Sequence, residues 1–219
     1  MESSINPKDN DIPEFKIVFV GNESVGKTCI INRFYNNIFS DQQQPTVGAA
    51  FVSKEITTKY GRAYLHLWDT AGQERYRCLV PMYARGATVV VIVFDLKQKE
   101  TFEEIPEWIE KVKDIADGSH IVIVGNKVDL LDDQILPPNQ ENQSNSNLNN
   151  GRNSDLIFKD EIDKWSADAQ LSVTYTSAKT GENIDVLFEY IIGLLPRSAF
   201  HSPTSVNLDS GEQNRKKCC

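Results

Sequence analysis

The sequence predicts one α/β domain in which helices cover both faces of a mostly parallel, doubly wound sheet of six strands. Three observations support this prediction. Apolar runs alternate along the chain with helical patterns, the runs at 16–20, 88–95 and 121–124 are apolar on both faces, and a glycine-rich turn follows the first run. Strands that lie between two layers of helices have this composition. Such a sheet binds its ligand at the carboxyl ends of its strands.

The order of the elements follows from the hydrophobic patterns. Strands are predicted at 16–20, 48–58, 62–69, 88–95, 120–126 and 172–177, and the polar residues in 48–58 indicate an edge strand. Helices are predicted at about 27–35, 101–116, 158–170 and 183–195. For the second helix, Thr101 and Glu104 have the spacing of a capping box. Apolar side chains then follow at helical spacing, namely Phe102, Ile105, Ile109, Val112 and Ile115.

Size and charge exclude several classes of protein. The 219 residues suit one domain, and a hydrophobic content of 40% with 25% charged residues is ordinary for a soluble protein. The net charge of −8, with no basic block, argues against a general nucleic-acid binder. No apolar run has the length of a membrane-spanning helix, and the polar N-terminus is unlike a secretory signal, so we expect a cytosolic chain.

Three segments fall outside the predicted domain core at 14–196. Residues 1–13 are polar and are expected to be flexible. Residues 134–155 are rich in Asn, Gln and Ser, which predicts a disordered surface insertion within the domain. Residues 197–219 form a polar tail of mixed charge that ends in two cysteines, Cys218 and Cys219, so a large polybasic contribution to membrane binding is not expected.

The glycine-rich turn has the spacing of a phosphate-binding loop. "GNESVGKT", residues 21–28, matches G-x-x-x-x-G-K-[ST] and lies between a predicted strand and a predicted helix. Its glycines allow successive N–H groups to point inward, and the helix N-terminus adds a positive dipole end. Lys27 can reach the β- and γ-phosphates, and Thr28 can offer a hydroxyl to Mg²⁺. The motif leaves the base and the reaction open, because kinases, ATPases and GTPases share it.

Two later segments indicate which base is bound. Asn126 to Asp129, "NKVD", follows a buried strand, and a carboxylate there can accept from N1 and N2 of guanine, whereas adenine would leave it unpaired. An unpaired buried group costs roughly 1–3 kcal/mol, which is enough to select guanine. Ser177, Ala178 and Lys179 follow the last strand, where a backbone N–H can reach guanine O6.

The segment "WDTAGQE", residues 68–74, closes the third strand. Asp69 lies where Mg²⁺ beside a phosphate loop needs a carboxylate. Gly72 can bring a backbone N–H to a γ-phosphate, and Gln73 can orient an attacking water. On its own each segment is also compatible with an ordinary turn, so the prediction depends on their order and placement.

These four motifs together resemble the small GTPases of the Ras superfamily, which have a P-loop NTPase fold known as the small G domain. "WDTAGQERYRCLVPMYARGA" and the double-cysteine end are similar to the Rab branch, and "PTVGAAF" and "PMYARGA" to endosomal Rabs. The resemblance covers about residues 14–196. It implies a GTP-hydrolysing switch in vesicle and endosomal trafficking, on the cytoplasmic face of intracellular membranes and cycling with the cytosol.

The resemblance also implies roles for individual residues. The phosphates would be bound by Glu23, Ser24, Val25, Gly26, Lys27, Thr28, Cys29, Thr46 and Gly72. The guanine would be bound by Phe39, Asn126, Lys127, Asp129, Ser177, Ala178 and Lys179. Mg²⁺ would be held by Thr28, Thr46 and Asp69, with Gln73 as the catalytic residue. Two switches would span about 39–47 and 71–84, effectors would read Phe51, Trp68 and Tyr83, and Cys218 and Cys219 would carry geranylgeranyl groups.

The partners implied are GTP-dependent effectors, an exchange factor, a GTPase-activating protein and a GDP-dissociation inhibitor or escort protein. Nucleic acid is not among them, and the chain is expected to be a monomer that reaches membranes through its prenyl groups. No arginine is placed in cis to complete the site, and Arg75 is assigned to switch packing or solvent contact, so we expect an arginine from the activating protein.

The main departure from the family is Glu23, where the family usually has a small residue that faces the γ-phosphate. One hypothesis is that this carboxylate slows hydrolysis by repulsion or by hindering Gln73; the other is that it is simply solvated. Two rival functions also stay open at this point. One is a P-loop kinase, and the other is a nucleotide-bound interaction module with negligible hydrolysis.

Overall fold

The computed structural model describes residues 12–115, 118–131 and 159–200. They form a sheet of six strands in the order β2-β3-β1-β4-β5-β6. The strands are β1 (Glu14–Val20), β2 (Ala49–Thr58), β3 (Gly61–Thr70), β4 (Val89–Asp95), β5 (His120–Asn126) and β6 (Val173–Thr176). Only β2 is antiparallel to its neighbour. The predicted mostly parallel sheet, with an edge strand at 48–58, is confirmed.

Helices cover both faces of this sheet, as predicted. They are α1 (Lys27–Asn36), α2 (Val80–Ala84), α3 (Lys99–Glu103), α4 (Ile105–Lys113), α5 (Lys159–Ala169) and α6 (Ile184–Gly193). One apolar cluster packs α1 and α6 on the sheet, and a second packs α2 to α5 on the other face. Val91 and Ile92 of β4 are fully buried and belong to opposite clusters, which explains why this strand is apolar from Val89 to Phe94.

The prediction of one helix at 101–116 with a capping box at its start is wrong. The helix begins at Lys99, so Thr101 lies inside it and its hydroxyl instead accepts a hydrogen bond from the Asp95 N–H at 2.9 Å. The helical segment then breaks at Glu104, between α3 and α4. Pro106, in the first turn of α4, has no N–H to donate to the preceding turn, which accounts for the break.

The first and last described segments meet at the edge of the sheet where the parallel strands begin. After a short 3₁₀ helix, Arg197–Ala199, the Phe200 ring packs on Phe15 and Tyr60, with centroid distances of 5.5 and 5.9 Å. The Arg197 guanidinium lies 5.1 Å from the centre of the Tyr60 ring. The predicted insertion at 134–155 and both terminal cysteines lie outside the described residues. Within the described ranges, no helix is long and apolar enough to cross a bilayer.

Candidate functional site

A cavity of about 370 Å³ opens at the carboxyl ends of the parallel strands, beside β1, where the strand order reverses. It gathers most of the predicted nucleotide-binding residues, although they are spread from residue 23 to residue 179. Those lining it are Glu23, Ser24, Gly26, Lys27, Thr28, Cys29, Phe39, Thr46, Gly72, Gln73, Asn126, Lys127, Asp129, Ala178 and Lys179. Three predicted residues lie behind the cavity wall, namely Val25, Asp69 and Ser177. The ends of parallel strands share one edge, which is why distant motifs converge here.

The loop between β1 and α1 owes its shape to two glycines. Gly21 and Gly26 have φ values of +134° and +100°, which L-residues with side chains rarely adopt. A Cβ on Gly21 would lie 2.1 Å from the Val93 carbonyl oxygen, and one on Gly26 would lie 2.2 Å from Nδ2 of Asn126. The motif glycines are therefore required both for backbone conformation and for space.

Lys27 brings a buried ammonium group to this loop. Its side chain is 6% exposed, and Nζ donates to the carbonyl oxygens of Gly21 and Asn22 at 2.9 and 2.6 Å. Burial lowers the pKa of Lys27 to about 8, although the negative charges of Asp69 and Glu23 oppose this shift. A buried cation whose hydrogen-bond partners are neutral carbonyls is a suitable partner for an anion in the cavity.

Three oxygen atoms converge near the base of the cavity. Oδ2 of Asp69 accepts from the hydroxyls of Thr28 and Thr46 at 2.6 and 3.0 Å, and the two hydroxyl oxygens lie 3.0 Å apart. The other carboxylate oxygen of Asp69 is buried and has no hydrogen-bond partner among the described residues. Burial raises the pKa of Asp69, while the two threonine hydrogen bonds and the Lys27 charge oppose this effect.

This oxygen set fits a magnesium ion. Mg²⁺ prefers oxygen ligands and is usually held through one or two carboxylates, with water and phosphate oxygens completing much of its shell. Two hydroxyls with an adjacent orphaned carboxylate oxygen match that requirement. No group of three or more His, Cys, Asp or Glu side chains forms an alternative metal site in the part of the chain described.

Gln73 is engaged at both ends of its side-chain amide. Its Nε2 donates to Oε1 of Glu23 at 3.0 Å, and its Oε1 accepts from Nε of Arg75 at 2.8 Å. The neighbouring Gly72 is packed so closely on the phosphate loop that an added Cβ would lie 2.4 Å from the Glu23 amide nitrogen. The segment after β3 is therefore joined to the phosphate loop by a backbone contact and by a side-chain hydrogen bond that sequence reasoning missed.

The loops after β5 and β6 are joined by Asn126 and Asp129. Asn126 is buried, donates to the Val25 carbonyl at 2.8 Å, and accepts from the Ala178 N–H at 3.2 Å. Oδ1 of Asp129 accepts from the Ser177 hydroxyl at 2.5 Å, which fixes the carboxylate. Val25 and Ser177 do not line the cavity, but they fix the positions of Asn126 and Asp129, which do.

Lys127 and Cys29 line the same part of the cavity. The Lys127 ammonium pairs with buried Asp95 at 2.7 Å, and its backbone has a φ of +70°. Burial raises the pKa of the Cys29 thiol, so this cysteine is not an activated nucleophile.

The predicted effector residues lie outside the cavity and form a continuous aromatic row. The Phe51 and Trp68 rings meet edge to face at 5.3 Å, and the Trp68 and Tyr83 rings are 6.0 Å apart. Phe51 is 50% exposed, whereas the other two are partly buried against the core. The row therefore exposes apolar surface, mainly on Phe51, while Trp68 and Tyr83 are held by packing against the core.

Sequence reasoning also missed a link between the phosphate loop and the helix α4. The Trp108 ring is buried, and its Nε1–H donates to Oδ1 of Asn22 at 2.8 Å. Arg77 lies 5.0 Å from the centre of that ring and pairs with Glu104 at 2.6 Å. Asn22 occupies a position that the phosphate-loop motif leaves unspecified, so no local pattern indicated this contact.

The fold and the cavity define a nucleotide-binding protein of the P-loop class, with a buried lysine and a magnesium-compatible oxygen set beside the loop. The model of the Ras family matches residues 16–196, which is most of the chain. The protein therefore belongs to the Ras family. It is a small GTPase that acts as a switch, and proteins of this family bind guanine nucleotide with Mg²⁺ and work with effectors, exchange factors and GTPase-activating proteins. This assignment decides against the kinase that the phosphate-loop motif alone left open.

Proposed function

We propose that this protein is a Rab-like GTPase that hydrolyses bound GTP slowly and controls vesicle traffic on endosomal membranes. The observation that carries the nucleotide part is that the phosphate loop, the oxygen set, Gln73 and the base-reading loops all meet at one cavity. The direct test is to identify by mass the nucleotide that copurifies with the protein, and then to follow conversion of loaded GTP to GDP. Guanine nucleotide with slow conversion is expected; adenine nucleotide or none would refute the proposal.

In this proposal the phosphates lie against the loop between β1 and α1. Its N–H groups and the positive end of α1 bind the phosphate oxygens, and Lys27 exchanges its two carbonyl partners for phosphate oxygens. Thr28, Thr46 and Asp69 would hold Mg²⁺, which supplies positive charge against the β- and γ-phosphates. Thr46 lies on the predicted first switch and shares its partner Asp69 with Thr28. In this proposal the γ-phosphate and Mg²⁺ would order that segment, and loss of the γ-phosphate would release it.

Guanine would lie between Lys127 and Phe39, with its edge toward Asp129 and Ala178. One oxygen of Asp129 is already fixed by the Ser177 hydroxyl, so the carboxylate is oriented before the base arrives. Such preorganisation favours the base that offers two adjacent donors, which is guanine and not adenine.

Hydrolysis would need Gln73 to position the attacking water, and the hydrogen bonds to Glu23 and Arg75 oppose this. In the observed arrangement the amide nitrogen of Gln73 donates to the Glu23 carboxylate, and its amide oxygen accepts from Arg75. We therefore favour the hypothesis that Glu23 restrains Gln73 and slows the intrinsic reaction. The hydrogen bond between Gln73 and Glu23 is exposed and therefore contributes only about 1 kcal/mol. Its loss is expected to accelerate single-turnover hydrolysis by about threefold to tenfold.

The test uses Glu23→Ser, which removes the acceptor, and Glu23→Gln, which keeps the size of the side chain without its charge. We expect Glu23→Ser to accelerate hydrolysis in the parent but not in a Gln73→Leu background, because the gain acts through Gln73. Equal hydrolysis rates for the parent and Glu23→Ser, with and without an activating protein, would support the alternative hypothesis that the Glu23 carboxylate is simply solvated. An arginine supplied in trans is expected to add about 10³–10⁵-fold.

An interaction module with negligible hydrolysis is the second candidate, and the engaged Gln73 amide is the observation that favours it. The GTP time course separates the two. Conversion within hours at a rate that Gln73→Leu abolishes supports the GTPase. No conversion in either protein, even with Glu23→Ser, supports the inert module.

The Rab assignment is supported by the segment from Trp68 to Ala87 and by the aromatic row of Phe51, Trp68 and Tyr83. We propose that GTP-dependent effectors bind this row together with the two switches. Cys218 and Cys219 would carry two prenyl groups, since two chains give stable anchoring where one is marginal. Imaging of the N-terminally tagged chain should place it on endosomes, and the Cys218→Ser, Cys219→Ser double variant should be cytosolic. A diffuse signal from both would refute the membrane assignment.

A further inference from the structure

Arg33 of α1 lies outside the cavity, yet its guanidinium is bonded to the loop after β6 that forms part of the cavity wall. Nε donates to the Ala178 carbonyl at 2.8 Å, and Nη2 donates to the Lys179 carbonyl at 2.5 Å. Nη1 donates to the backbone and side-chain oxygens of Asn37 at 3.2 and 3.1 Å. All three guanidinium nitrogens therefore have oxygen partners.

This arrangement differs from an ordinary surface ion pair. The ion pairs between described residues do not include Arg33, so its charge is matched by carbonyl dipoles instead of a carboxylate. The aliphatic part of the side chain passes close to Gly181, where an added Cβ would lie 3.8 Å from Cδ of Arg33. The planar guanidinium fits two neighbouring carbonyls at once, which an ammonium group cannot do with the same geometry.

The loop is thereby held from two sides. On the cavity side, Asn126 accepts from the Ala178 N–H, and Asp129 accepts from the Ser177 hydroxyl. On the α1 side, Arg33 holds the carbonyls of Ala178 and Lys179. Because a peptide unit is planar and trans, fixing the Ala178 carbonyl also fixes the direction of the Lys179 N–H, which points away from Arg33.

We propose that Arg33 is a positioning residue for guanine: it holds residues 177–179 in the conformation that receives the base, and so slows nucleotide release. This inference rests on the proposed guanine site. Arg33 also joins that loop to α1, whose first turn contains Lys27 and Thr28. Without Arg33, the loop keeps its anchors on the cavity side and its own turn hydrogen bonds, such as that from the Ser177 N–H to the Glu182 carbonyl, but the Ala178 and Lys179 carbonyls are released and the loop opens more often.

The experiment measures dissociation of fluorescently labelled GDP from the full chain with Mg²⁺ present, for the parent, Arg33→Met and Arg33→Lys. Arg33→Met keeps much of the apolar packing and removes both carbonyl contacts, so release is expected to accelerate about tenfold. Arg33→Lys can serve only one carbonyl well and should fall between the two. Arg197→Met is the matched control, because Arg197 contacts Tyr60 at the opposite edge of the sheet and should leave release unchanged.

A second readout separates positioning from a general weakening of the fold. Single-turnover hydrolysis of preloaded GTP should change far less than GDP release in Arg33→Met, because the hydrogen bonds of Arg33 go to residues 37, 178 and 179 and none goes to the phosphate loop. Unchanged GDP release in Arg33→Met overturns the inference, as does an equal loss of hydrolysis and thermal stability. If the parent itself fails to bind GDP, the proposed function fails instead, so the two failures are distinguishable.

Discussion

The buried ammonium group of Lys27 makes nucleotide binding dependent on pH. The pKa of Lys27 in the nucleotide-free protein is about 8, against an ordinary value of 10.5, chiefly because of burial. Phosphates next to the ammonium group should raise its pKa again, so nucleotide binding takes up a proton above pH 8. If the pKa of Lys27 in the nucleotide complex lies above the pH range of the titration, the affinity for GDP should fall about 25-fold between pH 7.5 and 9.5. Each pH unit above the pKa of the free protein costs about 1.4 kcal/mol of binding free energy.

The same shift acts on folding with the opposite sign. The unfolded chain keeps the Lys27 proton up to about pH 10.5, whereas the nucleotide-free native state releases it near pH 8. Between these values the unfolded state binds more protons, so the Lys27 contribution to the free energy of unfolding rises with pH. Without nucleotide, the buried Lys27 therefore destabilises the native state most at neutral pH, where its ammonium group is charged and can bind an anion.

The assay is equilibrium titration of labelled GDP at several pH values, with Lys27→Met as the control. Guanine itself loses its N1 proton at alkaline pH, and this effect is common to both proteins. Lys27→Met should bind at least about 100-fold more weakly at pH 7.5, because charge-assisted hydrogen bonds are lost, and it should lack the additional pH dependence. Parallel affinity-against-pH curves for the parent and the variant would refute the reasoning.

Three further outcomes are expected. Gln73→Leu should retain GTP binding and lose most hydrolysis in a single-turnover assay, and unchanged turnover would remove Gln73 from its proposed role. Asp129→Asn should shift preference from guanine to xanthine nucleotides in competition binding, because the amide can donate to the xanthine O2; an unaltered preference for GTP would argue against the base contact. Trp108→Phe should lower the free energy of unfolding by about 2–4 kcal/mol in urea denaturation, because the half-buried Asn22 oxygen loses its donor and the smaller ring leaves a void at a buried position. Stability equal to that of the parent would show that water replaces this contact.

The sequence was sufficient for the sheet, because the apolar strands carry a strong signal and the motifs lie at strand ends. It was insufficient where a distant residue overrules a local pattern. Thr101 has the spacing of a helix cap, but its hydroxyl bonds to Asp95 at the end of β4, and Pro106 interrupts a helix whose apolar periodicity continues. Periodicity reports which face is buried, and it does not report whether the backbone hydrogen bonds are continuous.

At the cavity, too, the residues within a motif could be predicted from the sequence, and the contacts between distant residues could not. Motif residues were found because each motif is short and its chemistry is local. The contacts from Arg33 to Ala178, from Trp108 to Asn22 and from Gln73 to Glu23 join residues 145, 86 and 50 positions apart. No single stretch of sequence contains both partners, so only the folded arrangement reveals them.

The contact of Phe200 with Phe15 and Tyr60 decides where tension from the end of the chain enters the domain. A pull on Phe200 would be taken up first by these ring contacts, at the starts of β1 and β3, whereas loops that line the cavity follow the far ends of the same strands. A force applied at Phe200 would therefore enter the domain at the pole opposite the cavity.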